Sequence, residues 1–126
     1  ATTESYTLSL HDALPIFQNS DARDEATAQS SVLQLATREG EEGCRAYSFA
    51  PDPCVATRIQ VYELWTDEDC LSAHFKHPNY LAMRDLLRSS GLVGSETLKY
   101  RIDLAEPVYD DNHLPRADFF TAGQSD

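Results

Sequence analysis

The sequence has few cations and no long apolar run, and each shortage excludes a class of function. Ten lysines and arginines stand against 21 aspartates and glutamates, which gives a formal net charge of −11. Such a chain is a poor partner for nucleic acid or an anionic membrane, because both are recognised through clustered positive charge. No apolar run approaches the roughly 20 residues that span a bilayer, and no leader pattern opens the chain. A cytoplasmic protein is therefore expected.

Cysteines and nucleotide-binding motifs are also scarce. Cys44, Cys54 and Cys70 are odd in number and lack the C-x-x-C spacing, so neither a disulfide framework nor a structural zinc site is predicted. The chain has no glycine-rich phosphate loop, no G-x-G-x-x-G after a strand and no activated serine or cysteine triad. The sequence motifs that usually accompany flavin, nicotinamide and acyl-enzyme chemistry are thus absent, and no cofactor is predicted.

The 126 residues suffice for one domain, but the first 16 are unusual. Residues 1–16, ATTESYTLSLHDALPI, resemble the translation of a common sequencing-library adaptor, which reads ATTEIYTLSLHDALPI and differs only at Ser5. We hypothesise that the segment is an adaptor-derived artefact, that natural sequence begins near Phe17, and that the segment packs poorly and lies outside functional reasoning. The alternative is a natural strand, since apolar residues alternate with polar ones from Tyr6 to Leu10.

Apolar periodicity predicts one α+β domain over residues 17–104, followed by an irregular tail over 105–126. A Pro51-Asp52-Pro53 turn joins two of the strands as a hairpin. The order matches a ferredoxin-like antiparallel sheet with helices on one face, its first strand truncated or replaced. The predicted elements are a helix from caps at Asn19–Asp21 to Arg38, strands over Cys44–Ala50 and Thr57–Trp65, helices opened by Thr66 and over Pro78–Ser89 with Gly91 as C-cap, and a strand over Leu98–Leu104.

Polar and aromatic side chains converge after the second predicted strand. Strand alternation places Glu63 and Trp65 on one face. Thr66 is the predicted N-cap of the next helix, with the carboxylate of Asp69 three residues on, and this helix carries His74. An acid, an indole and an imidazole should therefore lie close together.

These residues resemble the antibiotic biosynthesis monooxygenase family of small α+β proteins, over roughly Asp21 to Leu104. The matching segments are Glu42-Gly43-Cys44-Arg45-Ala46-Tyr47, Glu63-Leu64-Trp65 and Ala73-His74. The resemblance implies a dimeric α+β barrel, in which two sheets pack face to face and the tail crosses to the partner. It also implies oxidation of an electron-rich phenol or quinol by dioxygen without a cofactor. The chain departs from the family where a second histidine often follows the proline, because Asn79 follows Pro78 here.

The candidate catalytic residues are His74 and Trp65. His74 is the candidate general base, with a surface or capping role as the alternative. Trp65 is interpreted either as a pocket wall that stacks on a planar substrate or as core. Glu63, on the same face, is expected to pair with a buried donor.

His77, Asn79, Tyr80 and Glu63 are the candidate substrate-binding residues. His77 and Asn79 have a simpler interpretation as cap residues of the Pro78 helix. No metal site is predicted, because His74-x-x-His77 lacks a third ligand nearby.

The sequence thus predicts a homodimeric, cofactor-independent monooxygenase acting on a quinol-like or polycyclic phenolic substrate with dioxygen. Its partners would be a small aromatic substrate and a second copy of the chain, with no nucleic acid or membrane. Two alternatives stay open: a non-enzymatic ligand-binding or stress-associated barrel of the same fold, and a relative that binds or degrades haem.

Overall fold

The computed structural model describes residues 8–121, which form a four-stranded antiparallel sheet with three helices packed on one face. The strand order is β2-β3-β1-β4. The predicted ferredoxin-like α+β class is confirmed, while the dimeric barrel stays a prediction. The elements are β1 (Leu8–Phe17), α1 (Ser20–Gly40), β2 (Cys44–Pro51), β3 (Ile59–Trp65), α2 (Glu68–Lys76), α3 (Pro78–Ser89) and β4 (Leu92–Ile102).

Residues 8–17 form a strand inside the sheet, between β3 and β4. Register pairs run from Ser9 with Trp65 to Ala13 with Val61 on one side, and ten further pairs join β1 to β4 on the other. The expectation that residues 1–16 pack poorly is therefore wrong for residues 8–16. An alternating pattern fills a strand position whatever its origin. The adaptor origin itself stays a prediction, and residues 1–7 lie outside the described residues.

Polar caps start the helices and set their directions. Asn19 caps α1, as predicted, by accepting a backbone N–H of the first turn at 2.8 Å. The N-cap of α2 is Asp67 and not Thr66; the Asp67 carboxylate accepts the Cys70 N–H at 2.8 Å. The hydroxyl of Thr66 instead donates to the Gly43 carbonyl at 3.3 Å, which ties the end of β3 to the start of β2.

The end of α3 and the start of β4 also differ from their predictions. Ser90 is the C-cap of α3, and Gly91 follows with a φ of 98°. The last strand begins at Leu92 and ends at Ile102, whereas the sequence pattern predicts Leu98–Leu104. Residues of low strand propensity, Gly94 and Ser95, are held in β4 by pairing with β1.

The two faces of the sheet have different surroundings. On the helix side Phe17, Ile59 and Trp65 are at most 1% exposed and form the core with side chains of all three helices. On the other side Tyr62 and Leu98 are 46% and 60% exposed, and no helix of residues 8–121 covers them. An apolar face of this kind favours association.

The tail after β4 contains no helix in the part that the structure describes. An isolated bridge joins Tyr109 to Pro115, and the Glu106 carboxylate accepts the backbone N–H groups of Phe120 and Thr121. Residues 122–126 lie outside the described residues, and the predicted crossing to a partner stays a prediction. Within residues 8–121, no helix is both long and apolar enough to cross a membrane.

Candidate functional site

A cavity of about 270 Å³ lies between the sheet and helices α2 and α3. Its lining is mostly apolar and aromatic, and every strand contributes to it. The volume is near the lower end of the roughly 300–1,000 Å³ typical of ligand pockets, which suits a small aromatic molecule. The lining residues are His11, Ala13, Pro15, Tyr47, Phe49, Val61, Glu63, Phe75, Tyr80, Met83, Arg84, Leu87, Leu92, Ser95 and Thr97.

A wider hollow of about 700 Å³ lies beside the N-terminus of α2. Its walls include Asp67, Glu68, Lys99 and Arg101, all at the protein surface and none of them buried. Charged groups that remain in water interact only weakly with a ligand, because water screens their charge. We therefore take the smaller, apolar cavity as the candidate site.

Glu63 is the carboxyl group in the wall of the cavity, and it is 3% exposed. The alternation of β3 turns it toward the helices beside Trp65, whose indole N–H donates to Glu63 Oε1 at 3.1 Å. Two imidazole nitrogens approach the same oxygen: His11 Nδ1 at 3.4 Å and His74 Nε2 at 3.9 Å. Neither nitrogen has a hydrogen-bond partner. One buried carboxyl oxygen thus faces three ring nitrogens.

His74 lies behind Glu63 and does not line the cavity. It is 1% exposed, and its Nδ1 lies 2.7 Å from Glu41 Oε1. The imidazole packs on the Trp65 ring with centroids 4.5 Å apart, and the Tyr80 ring approaches edge-on at 5.5 Å. Packing on two sides fixes the ring so that Nδ1 points to one carboxylate and Nε2 to another.

Glu41 follows α1 as its C-cap residue, and its side chain is 4% exposed. Its Oε2 accepts the Asn79 amide at 3.1 Å and lies 3.6 Å from His77 Nδ1. The loop can approach α2 because Gly43 has a φ of 80° and a Cβ there would overlap the Cys70 side chain. A surface hollow of about 340 Å³ opens beside this group, lined in part by Glu41, His74 and His77.

The predicted residues occupy three positions relative to the cavity. Glu63 and Tyr80 line it, whereas Trp65 and His74 lie behind its wall. The acid, indole and imidazole lie close together as predicted, because Trp65 and His74 both approach the Glu63 carboxyl group. Of the two interpretations of Trp65, the structure supports core, because the side chain is 0% exposed and does not line the cavity.

His77 and Asn79 lie beyond His74, on the side of Glu41 and away from the cavity. His77 Nδ1 accepts the Asn79 N–H at 3.0 Å, so His77 caps α3. This matches the simpler of the two interpretations that the sequence left open. Neither residue lines the cavity, and their predicted role in substrate binding stays a prediction.

Sequence reasoning missed His11 and Glu41. His11 was left out with residues 1–16, although the alternation of that segment places it on the same face as Ala13. Glu41 lies 33 residues before His74, and no local spacing links the two. Only the tertiary packing of the loop after α1 brings them together.

The buried carboxyl groups change the acidity of their neighbours. Burial, with Glu63 and Glu41 close by, raises the pKa of the Tyr47 phenol far above its usual range. Burial and then the same two carboxyl groups raise the pKa of Cys44 to about 11. Both groups therefore stay protonated near neutral pH. Within residues 8–121, no cluster of three or more histidine, cysteine or acidic side chains could hold a metal ion.

Residues 18–86, just over half of the chain, match the model of the antibiotic biosynthesis monooxygenase family. None of the curated proteins matches the chain significantly.

Several solved structures share the fold. A candidate antibiotic biosynthesis monooxygenase from Deinococcus radiodurans has a TM-score of 0.69 at 17% identity and covers 82% of this chain and 99% of its own. SnoaB, a cofactor-independent oxygenase from Streptomyces nogalater, has a TM-score of 0.59 at 14% identity, with coverages of 81% and 98%. A dimeric protein of ferredoxin-like fold from Bacteroides fragilis has a TM-score of 0.65 at 13% identity, with coverages of 75% and 96%.

Proposed function

The chain belongs to the antibiotic biosynthesis monooxygenase family, and from this membership and the cavity we propose that it is a cofactor-independent monooxygenase. The proposed substrate is a quinol-like or polycyclic phenol, and the proposed oxidant is dioxygen. Family membership supports the class of reaction. The likeness to SnoaB, a cofactor-independent oxygenase, supports the absence of a cofactor from the reaction.

One observation carries the proposal: a buried carboxyl group, Glu63, in the wall of a mostly apolar and aromatic cavity. Aromatic walls formed by Tyr47, Phe75 and Tyr80 suit a planar ring. A carboxylate that faces such a ring can accept a phenolic proton. In these mostly apolar surroundings the resulting phenolate keeps its electron density for reaction with dioxygen.

The proposed reaction balances without a further reductant. Glu63 takes the phenolic proton, and the phenolate passes one electron to dioxygen to give a phenoxyl radical and superoxide. These combine at a ring carbon to form a C–O bond. The O–O bond then breaks as the proton on that carbon is lost, which gives the quinone, and the leaving oxygen becomes water with that proton and one that Glu63 returns. The substrate supplies all four electrons, one oxygen atom enters the product and the other leaves as water.

The remaining residues hold the base in place. The Trp65 indole N–H binds Glu63 Oε1, and His11 and His74 flank the same oxygen. Trp65 therefore acts through Glu63 and is a positioning residue. Trp65→Phe should lower kcat more than it raises KM, because the indole contacts the base and not the substrate.

A homodimer is part of the proposal. The sheet face that carries Tyr62, Leu98 and Tyr100 is exposed, and the Bacteroides fragilis protein of the same fold is dimeric. Packing two such faces together would bury the largest exposed apolar area of the sheet.

Oxygen uptake with a panel of hydroquinones, naphthols and anthrones tests the function. The parent protein should consume one dioxygen per quinone formed, and ¹⁸O from labelled dioxygen should appear in the product. Glu63→Gln should lower kcat about 100-fold, the low end of the usual effect of a positioned base. Glu96→Gln, an exposed carboxylate on β4, is the matched control and should behave as the parent.

The outcomes separate the alternatives. Saturable binding of these phenols without oxygen uptake above the protein-free rate would contradict the monooxygenase and support a non-enzymatic binding protein. A Soret shift on adding haemin that is lost in His11→Ala would support haem binding. Equal kcat for Glu63→Gln and the parent would remove the carboxyl from its role as base.

A further inference from the structure

We propose that Glu63, His74 and Glu41 form a proton path that leads from the cavity to the surface hollow beside α2. The inference rests on the proposed function, since it says where the phenolic proton goes after Glu63 takes it. The three side chains are each at most 4% exposed, and they lie between the cavity on one side and the surface hollow on the other.

The imidazole of His74 is placed as a bridge between two carboxyl groups. Nδ1 lies 2.7 Å from Glu41 Oε1, and the proposal assigns Nδ1 as the donor and Glu41 as the acceptor of this hydrogen bond. Nε2 is buried without a partner and points toward Glu63 Oε1. A ring that receives a proton at Nε2 and loses one at Nδ1 moves charge from one side of the core to the other without leaving its place.

The step from Glu63 to His74 is the one gap in the path. The two atoms lie 3.9 Å apart, and a hydrogen bond needs about 2.7–3.2 Å, so the Glu63 carboxyl must move by about 1 Å. A protonated carboxyl has reason to move, because the unpartnered Nε2 accepts its hydrogen. Transfer of that proton leaves an imidazolium between two carboxylates.

The path ends at Glu41 and not at His77. His77 Nδ1 already accepts the Asn79 N–H as the cap of α3, so it has no free lone pair for a proton from Glu41. Glu41 Oε2 accepts the Asn79 amide, which holds the carboxylate at the edge of the hollow. From there the proton passes to solvent, and His74 is left with its hydrogen on Nε2. The starting state is restored when a proton returns through Glu41 to Nδ1 and Nε2 gives its hydrogen back to Glu63.

Other charged or titratable groups face the path from the neighbouring elements, among them Cys44 of β2, which lies close to Glu63 and Glu41. His11 of β1 approaches Glu63 at 3.4 Å, Tyr47 of β2 and Tyr80 of α3 approach the His74 ring at 5.4 and 5.5 Å, and His77 lies 3.6 Å from Glu41. The raised pKa of Tyr47 excludes it as a carrier near neutral pH. Glu63, His74 and Glu41 are therefore the carriers of the proposed path.

The first experiment needs no turnover. In protein labelled with ¹⁵N-histidine, anaerobic addition of hydroquinone should shift His74 Nε2 toward its protonated value, although His74 does not line the cavity. Glu63→Gln should abolish the shift. An unchanged His74 signal at saturating hydroquinone would overturn the path.

The second experiment measures oxygen uptake. Glu41→Gln should lower kcat about 10- to 100-fold at unchanged KM, and added formate should restore the rate because a small acid can enter the hollow and accept the proton. Glu42→Gln, an exposed neighbour, is the matched control and should behave as the parent. Equal rates for the two variants, or a Glu41→Gln defect that formate does not relieve, would contradict the path.

The two experiments keep the failures apart. A His74 shift without any oxygen uptake would contradict the proposed function and leave the path standing. Oxygen uptake that Glu41→Gln does not change would contradict the path and leave the proposed function standing. Thermal melting of both variants checks that a loss of rate is not a loss of fold.

Discussion

Deletion of residues 1–16 should leave a chain that does not fold. The segment supplies β1, which forms five residue pairs with β3 and ten with β4, of which only the last involves Phe17. Antiparallel pairing gives about one backbone hydrogen bond per pair at about 0.5–1.5 kcal/mol each, on the order of 7–20 kcal/mol for the strand. A chain of this length has a total stability of about 6–19 kcal/mol. Losing the strand therefore removes as much free energy as the total stability of the fold.

Circular dichroism and size-exclusion chromatography test this deletion. The shortened chain should lack a cooperative melt and near-ultraviolet signal, since β3 and β4 become open edges and the core side of the sheet is exposed. Deletion of residues 1–7 is the control, because it keeps every described pair of β1. A cooperative melt of residues 17–126 within about 5 °C of the parent, roughly 1 kcal/mol, would refute the reasoning and support the view that the segment contributes nothing.

Three further predictions concern acid stability, thiol reactivity and assembly. The Asp52 carboxylate accepts a backbone N–H two residues on and pairs with Arg58 at 2.8 Å, which hold its pKa below the usual range. A carboxylate with a depressed pKa stabilises the folded state at pH values above its unfolded pKa of about 4, and this stabilisation is lost as the pH falls below that value. The free energy of unfolding that Asp52→Asn loses, measured with urea, should therefore be largest at pH 7 and shrink below about pH 4. A loss that does not change with pH would contradict this. Burial raises the pKa of Cys44 and Cys70 to about 11, so mass spectrometry should find slow alkylation at pH 8 that accelerates toward pH 11, and rapid labelling at pH 7 would disagree. Leu98→Glu should convert a dimer to a monomer in light scattering, whereas a parent that is monomeric at micromolar concentration would disprove the dimer.

Periodicity predicted the elements whose own residues carry a strong pattern. The bounds of α1, β2 and α3 agree with the structure to within about two residues, since caps and apolar spacing are local signals. β4 was predicted six residues too short at its start, because the pairing that holds Gly94 in the strand comes from β1. β1 itself was set aside because of the presumed origin of residues 1–16, and alternation is a physical property that acts regardless of origin.

The site was predictable only where one element determines it. Strand alternation brought Glu63 beside Trp65, and a helix starting directly after the strand brought His74 near both. Whether a residue reaches the cavity depends on tertiary packing: the Tyr47 and Tyr80 rings line the cavity and pack against His74, which does not line it. Glu41 has no sequence signal at all, since only the loop after α1 brings it to His74.

The cost of the buried acids is itself an argument that the Glu63–His74–Glu41 group has a function. Two carboxyl groups, each at most 4% exposed, share one imidazole, and burying such charges costs free energy that apolar side chains of similar volume would not. A purely structural buried group would be expected to satisfy its polar atoms. Here Nε2 of His74 is left without a partner and aimed at a carboxyl group in the cavity wall. An arrangement that lowers stability and leaves one acceptor open is what a proton-transfer site requires.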